Sequence, residues 1–555
     1  MKRFHKLFYY FIIFLFTFTY FCFFKGEYYY VGDDTVFHTS NILSMAEQVT
    51  LGHLLPGKIL PMLAGNFGYG VNLFYPVFPH LVGCYLYEVF SFFNGGITDV
   101  MKFIHFMVIF LSGIFMYHYI RIVFKNKRQA LLTAILYQSM PYFFTDVFMR
   151  GALNESFLFM YLPLIFLSFH YLFEEKNRAK FYFYFVLGYS LFIMTHLVLT
   201  VYLTVLLIFF LMIYYKKLFK KENILNLVLA SVLVLVLTSN FWVPLVEHHL
   251  LENYYILTLK YYGDLDVQLT SLGNYFFPLK FLNLRDDYYL LLFISPICFV
   301  FMLFNYFLAC RKKITKSHRK VLLGLGIVLV FSMFFASSSF VWKFVPNLFK
   351  NIQFAWRLSL FVAFAAAVIS GYGIRLFNLK FQKCLLVVVM ILMAFSNYRL
   401  TSKLSYENIL DTKYLRGDCC SLQWSWEYLP SVSKYNSLYL YNKMFDLKLE
   451  LVDGKVEILS NDVPNMKFLV EGLKKEETVE FPRLYYLGYK LTNQDTGEVV
   501  ELYQNSFGLL SADINSDGLY HLEYVGTIMD RITKVLSFGT FVVIIMCVFI
   551  KKIKN

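Results

Sequence analysis

Two adjacent carboxylates are the side chains of this sequence whose type and position best suit chemistry. They lie in the run Gly32-Asp33-Asp34-Thr35-Val36-Phe37-His38, just after the first hydrophobic segment. Ionisable residues at the level of a bilayer are costly to place, so they indicate a functional site. A carboxylate there can orient a nucleophile, accept its proton or bind a cation. The sequence thus predicts a functional site at Asp33 and Asp34.

Histidines are the residues that could turn these carboxylates into a metal site. The candidates are His38, His80 and His196, and no HExxH motif or comparable ligand spacing accompanies them. Isolated histidines in aromatic membrane segments usually pack and form hydrogen bonds. We therefore predict no metal ligand and no cofactor, with a divalent ion as an open alternative.

The composition indicates the class of protein that must position the two carboxylates. Hydrophobic residues make up 58% and charged residues 16% of the 555 residues, against about 45–50% and about 25% in soluble domains. The net charge of +14 comes from Lys and Arg that cluster in short loops between apolar segments, as the positive-inside rule predicts. A polytopic membrane protein is expected, without nucleic acid as a partner.

The apolar segments are long enough to predict about 12–13 transmembrane helices. The basic loops place the N-terminus in the cytoplasm, and counting spans backward from the C-terminus places 146–155 and 400–530 outside the cell. Counting forward from the N-terminus differs by one span. The weakest span is 73–93, which Pro76 and Pro79 interrupt and which is expected to be a re-entrant or partial crossing. The alternative is a misread segment near 180–215, so the parity of the topology stays open.

Three regions follow from these patterns. Alternating residues and the turn signals Asp453-Gly454 and Asp495-Thr496-Gly497 predict β-hairpins in the polar region near the C-terminus. The fold class is therefore expected to be an all-α polytopic membrane protein with a small extracytoplasmic β-rich domain. The predicted regions are a transmembrane domain at 1–399 with its outer loop at 25–72, a β-sandwich-like domain at 400–530, and a transmembrane helix with a basic tail at 531–555.

A helix is expected to begin at the two carboxylates. Residues Ile42, Leu43, Met45, Ala46 and Val49 recur at helical spacing, which predicts an amphipathic helix in the membrane interface. Asp34 could then simply cap this helix by accepting hydrogen bonds from free backbone N–H groups. Such a cap also favours the anionic carboxylate, through the dipole of the helix.

Further motifs follow one another in an order that resembles a known family. They are Phe67-Gly68-Tyr69-Gly70-Val71-Asn72-Leu73-Phe74-Tyr75-Pro76, Met149-Arg150-Gly151-Ala152-Leu153-Asn154-Glu155, Thr195-His196-Leu197, Ile352-Gln353-Phe354-Ala355-Trp356-Arg357 and Trp426-Glu427-Tyr428-Leu429-Pro430. Together with the acidic helix, this order resembles bacterial GT-C superfamily proteins, which are integral membrane glycosyltransferases that use polyprenyl-phosphate sugars. The nearest pattern is the family called 6-pyruvoyl-tetrahydropterin-synthase-related, with YfhO-like relatives. That family usually has proline at the position of Ala355.

The resemblance implies a role for each candidate residue. GT-C enzymes place an essential Asp in the first outer loop, which corresponds here to Asp34. The resemblance therefore implies that Asp34 is the first candidate for the catalytic acid, with Asp33 as the second. Arg150 and Arg357 are then candidates for the donor phosphate, because a guanidinium matches phosphate oxygens bidentately. The alternatives are a salt bridge from Arg150 to Glu155, and an interfacial anchor at Arg357. The expected substrate-binding residues are Arg150, Glu155, Gln353, Arg357, His38, Tyr69, Tyr75 and His196.

The predicted function is transfer of a sugar from a polyprenyl-phosphate donor to a cell-surface glycopolymer or glycolipid at the outer face of the cell membrane. The expected partners are that lipid donor, the glycan acceptor and membrane lipid. Two alternatives need a polar cleft without a positioned acid. One is a transporter or flippase of lipid-linked saccharide, and the other is a non-catalytic assembly factor of the cell envelope.

Overall fold

A computed structural model describes residues 2–22, 28–30, 32–50, 57–61, 63–258, 269–276, 298–303, 314–345, 354–401, 406–408, 427–443 and 448–553, with the single positions 52, 55 and 294. The chain forms two compact units, each built from three segments. The first unit comprises 1–35, 98–234 and 261–409, and the second comprises 36–97, 235–260 and 410–555.

In its described residues, the first unit is helical apart from one short β-ladder and connecting turns. Its long helices pack in pairs: Leu153–Phe173 lies against Arg178–Ile193, and Ser359–Tyr372 lies against both Lys316–Ser337 and Lys127–Gln138. Leu153–Phe173 and Ser359–Tyr372 are buried along almost their whole length. The other helices of this unit are Lys2–Phe18, Ile97–Phe124, Pro141–Phe144, Leu197–Met212, Tyr215–Leu218, Lys221–Leu237, Ser339–Phe344 and Leu379–Thr401, with 3-10 turns at Leu272–Tyr275, Ala355–Leu358 and Gly373–Leu376.

Several of these helices are suited to a membrane. Within the described residues, five are long and apolar enough to cross a bilayer: Ile97–Phe124, Leu153–Phe173, Lys316–Ser337, Ala355–Tyr372 and Leu379–Arg399. The pair Lys221–Leu237 and Ser239–Leu251 passes the same test only when taken together. The prediction of a multi-pass, mainly helical membrane protein is confirmed. The predicted total of about 12–13 spans stays a prediction.

The predicted span 129–145 is broken in the structure. The helix Lys127–Gln138 ends, Met140 is extended, and Pro141 starts the next helix. That helix continues into a π-helical turn at Thr145–Met149. Proline at the first position of a helix fits because its missing N–H is not needed there, and π-helical turns occur often at functional sites.

The ladder of the first unit joins two distant parts of the sequence. Strand β1, Tyr28–Tyr30, pairs antiparallel with strand β2, Tyr406–Asn408, so that Tyr28 lies opposite Asn408. This pairing fixes the backbone shortly before the acidic pair Asp33 and Asp34.

The second unit begins with the helix expected after the acidic pair. The helix Thr35–Thr50 is present, but residues 38–46 are all buried, polar side chains included. Thr39 and Asn41 donate side-chain hydrogen bonds to backbone carbonyls one turn earlier, which explains how polar groups are accommodated there. The expectation of an amphipathic helix with one exposed face is therefore wrong, while the helix itself is confirmed.

The remaining helices of the second unit surround a buried aromatic cluster. Ser239–Leu251 packs along Ile528–Ile553. The ring of Phe74 stacks on that of Tyr428 with centroids 5.4 Å apart, and Tyr254 stacks on Tyr486 at 5.8 Å. The other helices are Val71–Phe74, Phe78–Phe92, Tyr255–Thr258, Ser431–Tyr435 and Ser437–Lys443.

The C-terminal region of the second unit is a two-sheet β-structure. One sheet has the order β3-β4-β10-β6-β7 and the other the order β5-β9-β8, with every pairing antiparallel. Alternate residues of both sheets, such as Phe468, Phe481 and Ala512, form one hydrophobic core, as in a β-sandwich. The strands are Lys455–Ser460 (β3), Met466–Glu471 (β4), Glu477–Leu484 (β5), Tyr489–Asn493 (β6), Val499–Val500 (β7), Tyr503–Gln504 (β8), Leu509–Ile514 (β9) and Gly518–Tyr524 (β10).

Two predicted hairpins have different outcomes. The turn at Asp495-Thr496-Gly497 joins β6 to β7 and is confirmed. The hairpin predicted at Asp453-Gly454 is wrong, because residues 448–451 form no strand and β3 pairs with β4 instead. The β-rich domain itself is confirmed, and its predicted limits of 400–530 stay predictions.

Candidate active site

The acidic pair is held by close backbone packing inside the first unit. The N–H of Asp34 donates to the carbonyl oxygen of Arg150 at 2.7 Å. A Cβ on Gly32 would lie 2.4 Å from the carbonyl carbon of Arg150, and a Cβ on Gly151 would lie 2.0 Å from Oγ1 of Thr35. Gly151 also has a φ of +64°, which L side chains rarely adopt. Two glycines thus allow the segment before the helix Thr35–Thr50 to pack directly on the turn after the π-helix.

Arg150 connects three acidic side chains through the two terminal nitrogens of its guanidinium. Nη2 contacts Oδ2 of Asp34 at 2.9 Å, and Nη1 contacts Oδ1 of Asp146 and Oε1 of Glu155, each at 3.0 Å. The side chain of Arg150 is only 5% exposed. A planar fork of this kind gives each pair a fixed direction, so Arg150 determines where the carboxylate of Asp34 lies.

Glu155 joins Arg150 to a second arginine. Its Oε1 also contacts Nε of Arg357 at 2.7 Å and lies 3.8 Å from Nε2 of His196. Its Oε2 accepts a hydrogen bond from the Tyr142 hydroxyl at 3.2 Å. Glu155 is therefore the branching point of a network that joins the helix Leu153–Phe173 to the 3-10 turn Ala355–Leu358.

Aromatic rings support both guanidinium groups. Arg150 lies over the ring of Trp356 at 4.6 Å, and Arg357 lies over the ring of Phe354 at 5.0 Å. These two rings stack on each other with centroids 5.2 Å apart. Cation–π contacts add about 1–2 kcal/mol at desolvated sites, so the rings help to fix both arginines.

Two groups of the network, both outside the membrane-spanning helices, are held in their neutral forms. Burial, with a smaller effect from the charge of Glu155, raises the pKa of Asp146 well above its ordinary value. Oδ2 of Asp146 has no hydrogen-bond partner among the described residues, so it can carry that proton. Burial lowers the pKa of His196, and its Nδ1 accepts the N–H of Leu199 at 3.3 Å.

Asp34 is the acid of this network that a substrate can reach. Its side chain is 39% exposed, against 3% for Glu155 and 0% for Asp146. An anionic group at the edge of a buried network can orient a hydroxyl without the cost of reorganising its surroundings. The geometry therefore suits Asp34 for contact with substrate, and Asp146 and Glu155 for positioning.

The structure brings five of the predicted site residues together. Asp34, Arg150, Glu155, His196 and Arg357 form the network of the first unit, which includes the salt bridge from Arg150 to Glu155 weighed above as an alternative. Asp33 is exposed beside Asp34. Gln353 lies outside the described residues.

Three candidates belong to the second unit. Nδ1 of His38 lies 2.8 Å from Nε2 of His80, and the ring of Tyr75 packs near both imidazoles. The ring of Tyr69 is fully buried, and its hydroxyl accepts the N–H of Tyr428 at 3.3 Å. These contacts are those of packed side chains, and a role in substrate binding for His38, Tyr69 and Tyr75 stays a prediction.

Asp146, Tyr142 and Trp356 are the parts of the network that the sequence analysis missed. Asp146 stands four residues before Arg150, a spacing at which opposite charges on a helix meet. That signal was present in an otherwise apolar segment. Tyr142 and Trp356 gave no comparable signal among the 44 tyrosines and many other aromatic residues.

Metal binding has no added support from the geometry. In the described ranges, no group of three or more His, Cys, Asp or Glu side chains is arranged to hold a metal ion. The acidic groups of the network surround Arg150 instead. Metal dependence stays untested.

One protein family matches part of this chain. Residues 79–242 match the family described as dolichyl-phosphate-mannose-protein mannosyltransferase, a stretch shorter than a third of the 555 residues. A protein from Lactococcus lactis subsp. cremoris (strain MG1363), described as uncharacterized, is 21% identical over 184 residues, which are 32% of this chain and 29% of that protein.

Solved structures of an archaeal enzyme show limited likeness. The oligosaccharyltransferase AglB from Archaeoglobus fulgidus, in complex with an inhibitory peptide and a dolichol-phosphate, aligns with a TM-score of 0.46 and 13% identity, over 74% of this chain and 57% of that one. The same organism's oligosaccharyltransferase with Zn and sulfate aligns with a TM-score of 0.46 and 15% identity, over 72% and 54%. This chain thus spans little more than half the length of these enzymes.

The family match covers the centre of the network. Asp146, Arg150, Glu155 and His196 lie inside residues 79–242, and Asp34 and Arg357 lie outside them. The narrower resemblance to YfhO-like proteins stays a prediction. The chain is a multi-pass membrane protein, and its segment 79–242 is similar to the GT-C family of dolichyl-phosphate-mannose-protein mannosyltransferases.

Proposed function

We propose that this protein is a GT-C glycosyltransferase that transfers a sugar from a polyprenyl-phosphate donor to a cell-surface glycopolymer or glycolipid, at the outer face of the cell membrane. The observation that carries the proposal is the half-exposed carboxylate of Asp34, fixed by a buried arginine. The match of residues 79–242 to a family named for a dolichyl-phosphate sugar supports this class of donor.

The reaction requires an acceptor hydroxyl to attack the anomeric carbon of the donor. The bond between that carbon and the phosphate oxygen breaks, and the polyprenyl phosphate leaves with the bonding electrons. Asp34 accepts a hydrogen bond from the attacking hydroxyl, orients it, and takes up its proton as the new bond forms. Asp33 is the neighbouring residue and its side chain is exposed, so it is the second candidate for this role.

The two arginines take different roles in this proposal. Arg150 is enclosed by three acidic side chains, so we assign it to positioning Asp34 and not to binding phosphate. Arg357 uses Nε for Glu155, and its side chain is 11% exposed against 5% for Arg150. A guanidinium carries five N–H donors in a fork that matches phosphate oxygens. Arg357 is therefore assigned to binding the donor phosphate. The alternative role is an anchor at the membrane interface.

Transfer by purified protein in lipid nanodiscs tests the proposal. Polyprenyl-phosphate mannose is the first donor to supply, followed by other polyprenyl-phosphate sugars, with cell-surface glycan fractions as acceptors. Asp34→Asn keeps the size of the side chain and removes the charge, so transfer should fall by about 10²–10⁴-fold, the usual contribution of general acid–base catalysis. The matched variant Asp33→Asn should lose much less.

Two results decide the assignment. If Asp34→Asn retains full transfer while Asp33→Asn loses it, the acid is Asp33; if both retain it, the catalytic proposal is wrong. Movement of a fluorescent donor lipid between leaflets without any transfer would identify a transporter instead. Mass analysis of surface glycans from cells with and without the protein should then identify the acceptor by a missing sugar.

A further inference from the structure

One oxygen atom joins the two halves of the proposed site. Oε1 of Glu155 contacts Nη1 of Arg150 at 3.0 Å and Nε of Arg357 at 2.7 Å. Both arginines also lie on a pair of stacked rings, Trp356 and Phe354. The two guanidinium groups therefore share one anion within a single rigid cluster, and neither can change its interaction with that oxygen without affecting the other.

Arg150 connects Glu155 to the acid, so a change in its contact with Glu155 also affects Asp34. Its Nη1 lies between Glu155 and Asp146, and its Nη2 contacts Asp34 on the other side of the same planar group. Because the guanidinium is rigid, a shift that shortens the contact of Nη1 with Glu155 changes the contact of Nη2 with Asp34. In a buried site these charge interactions are strong and poorly screened.

We infer that Glu155 couples the donor phosphate to the acid, so that a phosphate bound at Arg357 loosens the hold of Arg150 on Asp34. This inference rests on the proposed function. A phosphate competes with Glu155 for Arg357. As the contact of Glu155 with Arg357 weakens, its ion pair with Arg150 becomes stronger. Arg150 binds Asp34 less strongly, and that carboxylate becomes available to the acceptor hydroxyl only when the donor is present. Glu155 acts here as a positioning residue, since it reaches the substrate through the two arginines.

Thermodynamic linkage makes the coupling measurable without any transfer reaction. If phosphate weakens the pair between Arg150 and Asp34, removal of the charge on Asp34 must strengthen the binding of phosphate by the same factor. The probe is a short-chain polyprenyl phosphate, titrated into the full-length protein in nanodiscs, with the uncharged polyprenol as its control. Asp34→Asn should bind the phosphate about fivefold more tightly or better, at the lower end of typical coupling factors.

Two controls separate this relay from general electrostatics. Asp33→Asn removes the same charge one residue away, from an exposed position, and should change phosphate affinity by less than about twofold because water and salt screen it. In a Glu155→Gln background, Asp34→Asn should give no gain. Equal effects of the two aspartate variants, or an undiminished gain in the Glu155→Gln background, would overturn the inference.

The design allows for a buried variant that fails to fold. Removing one partner of a buried ion pair costs about 3–5 kcal/mol, so Glu155→Asp serves as the second variant. Glu155→Asp keeps the charge but moves the carboxylate oxygen away from the two arginines. In this background Asp34→Asn should still increase the affinity for polyprenyl phosphate, but by a smaller factor. An undiminished increase counts against the inference. Failure of the proposed function gives a different result: the wild type would bind polyprenyl phosphate no better than polyprenol, or Arg357→Ala would leave that affinity unchanged.

Discussion

Replacing Gly151 with alanine should damage both the stability and the activity of this protein. The added Cβ would lie 2.0 Å from Oγ1 of Thr35, and the residue would keep a φ of +64°. The left-handed conformation costs a non-glycine residue about 1–2 kcal/mol, and an extra carbon in a packed interior costs about 1–3 kcal/mol. The expected loss in the free energy of unfolding is therefore about 2–5 kcal/mol.

The activity should fall further than this loss of stability explains. Oγ1 of Thr35 accepts the N–H of Gly32 at 2.9 Å, and the N–H of Asp34 donates to the carbonyl oxygen of Arg150 at 2.7 Å. Displacing Thr35 shifts the carboxylate of Asp34 relative to its arginine. A displacement of about 1 Å costs roughly 10²-fold in rate when a reacting group is misplaced, and the folded fraction of Gly151→Ala should show a loss of that order.

The assay is denaturant unfolding in mixed micelles, followed by transfer measurements on the folded protein. Gly472 is the matched control, with a φ of +71° and no atom within 4 Å of the position that a Cβ would take, so Gly472→Ala should cost only the backbone strain of about 1–2 kcal/mol. In the double variant Thr35→Ala/Gly151→Ala the hydroxyl is gone, and the two effects should fall short of additivity by about 1–3 kcal/mol. Equal costs for Gly151→Ala and Gly472→Ala, or strict additivity, would refute this reasoning.

Two further predictions concern charged groups. Burial raises the pKa of Asp146 in the folded state above its unfolded value, so the wild type should lose stability as pH rises from the unfolded pKa through the folded one. Asp146→Asn should remove this pH dependence and be as stable as the wild type or more stable at neutral pH, measured by unfolding across mildly acidic to mildly alkaline pH; a variant as pH-sensitive as the wild type would contradict the assignment of a neutral carboxyl. Lys58 pairs with Asp530 in the second unit, with side chains 23% and 12% exposed, so Lys58→Met should lower the free energy of unfolding by about 2 kcal/mol, less than the loss for a fully buried pair. A loss smaller than the error of the measurement would show that the pair contributes nothing.

Local sequence patterns predicted the helix at the site, but they did not predict which side chains of the site contact one another. The helix after Asp34 was predicted because helical spacing is a property of neighbouring residues. The contact of Asp34 with Arg150 spans 116 residues of sequence, and spacing carries no information about it. The acidic pair was singled out from its own position, whereas Arg150 was named from the resemblance to a family, which did not indicate its contact with Asp34.

Two differences between expectation and structure have a common physical cause. Residues 448–451 alternate in hydrophobicity, yet they form no strand; Leu449 is nevertheless buried in the β-sandwich core. The polar side chains at 38–41 and 44 in the helix Thr35–Thr50 are also buried. Hydrophobic periodicity records which side chains are covered, and it does not reveal how the backbone hydrogen bonds are made or which polar groups find partners inside.

The short ladder between β1 and β2 has a mechanical consequence. Tyr406–Asn408 is the last paired segment before the first unit ends at Ile409, and its partner Tyr28–Tyr30 ends four residues before Asp34. Tension applied to β2 is therefore passed through the ladder to the strand that leads to the acid. When these few backbone hydrogen bonds part, the acid is still anchored by the hydrogen bond from its own N–H to the carbonyl oxygen of Arg150.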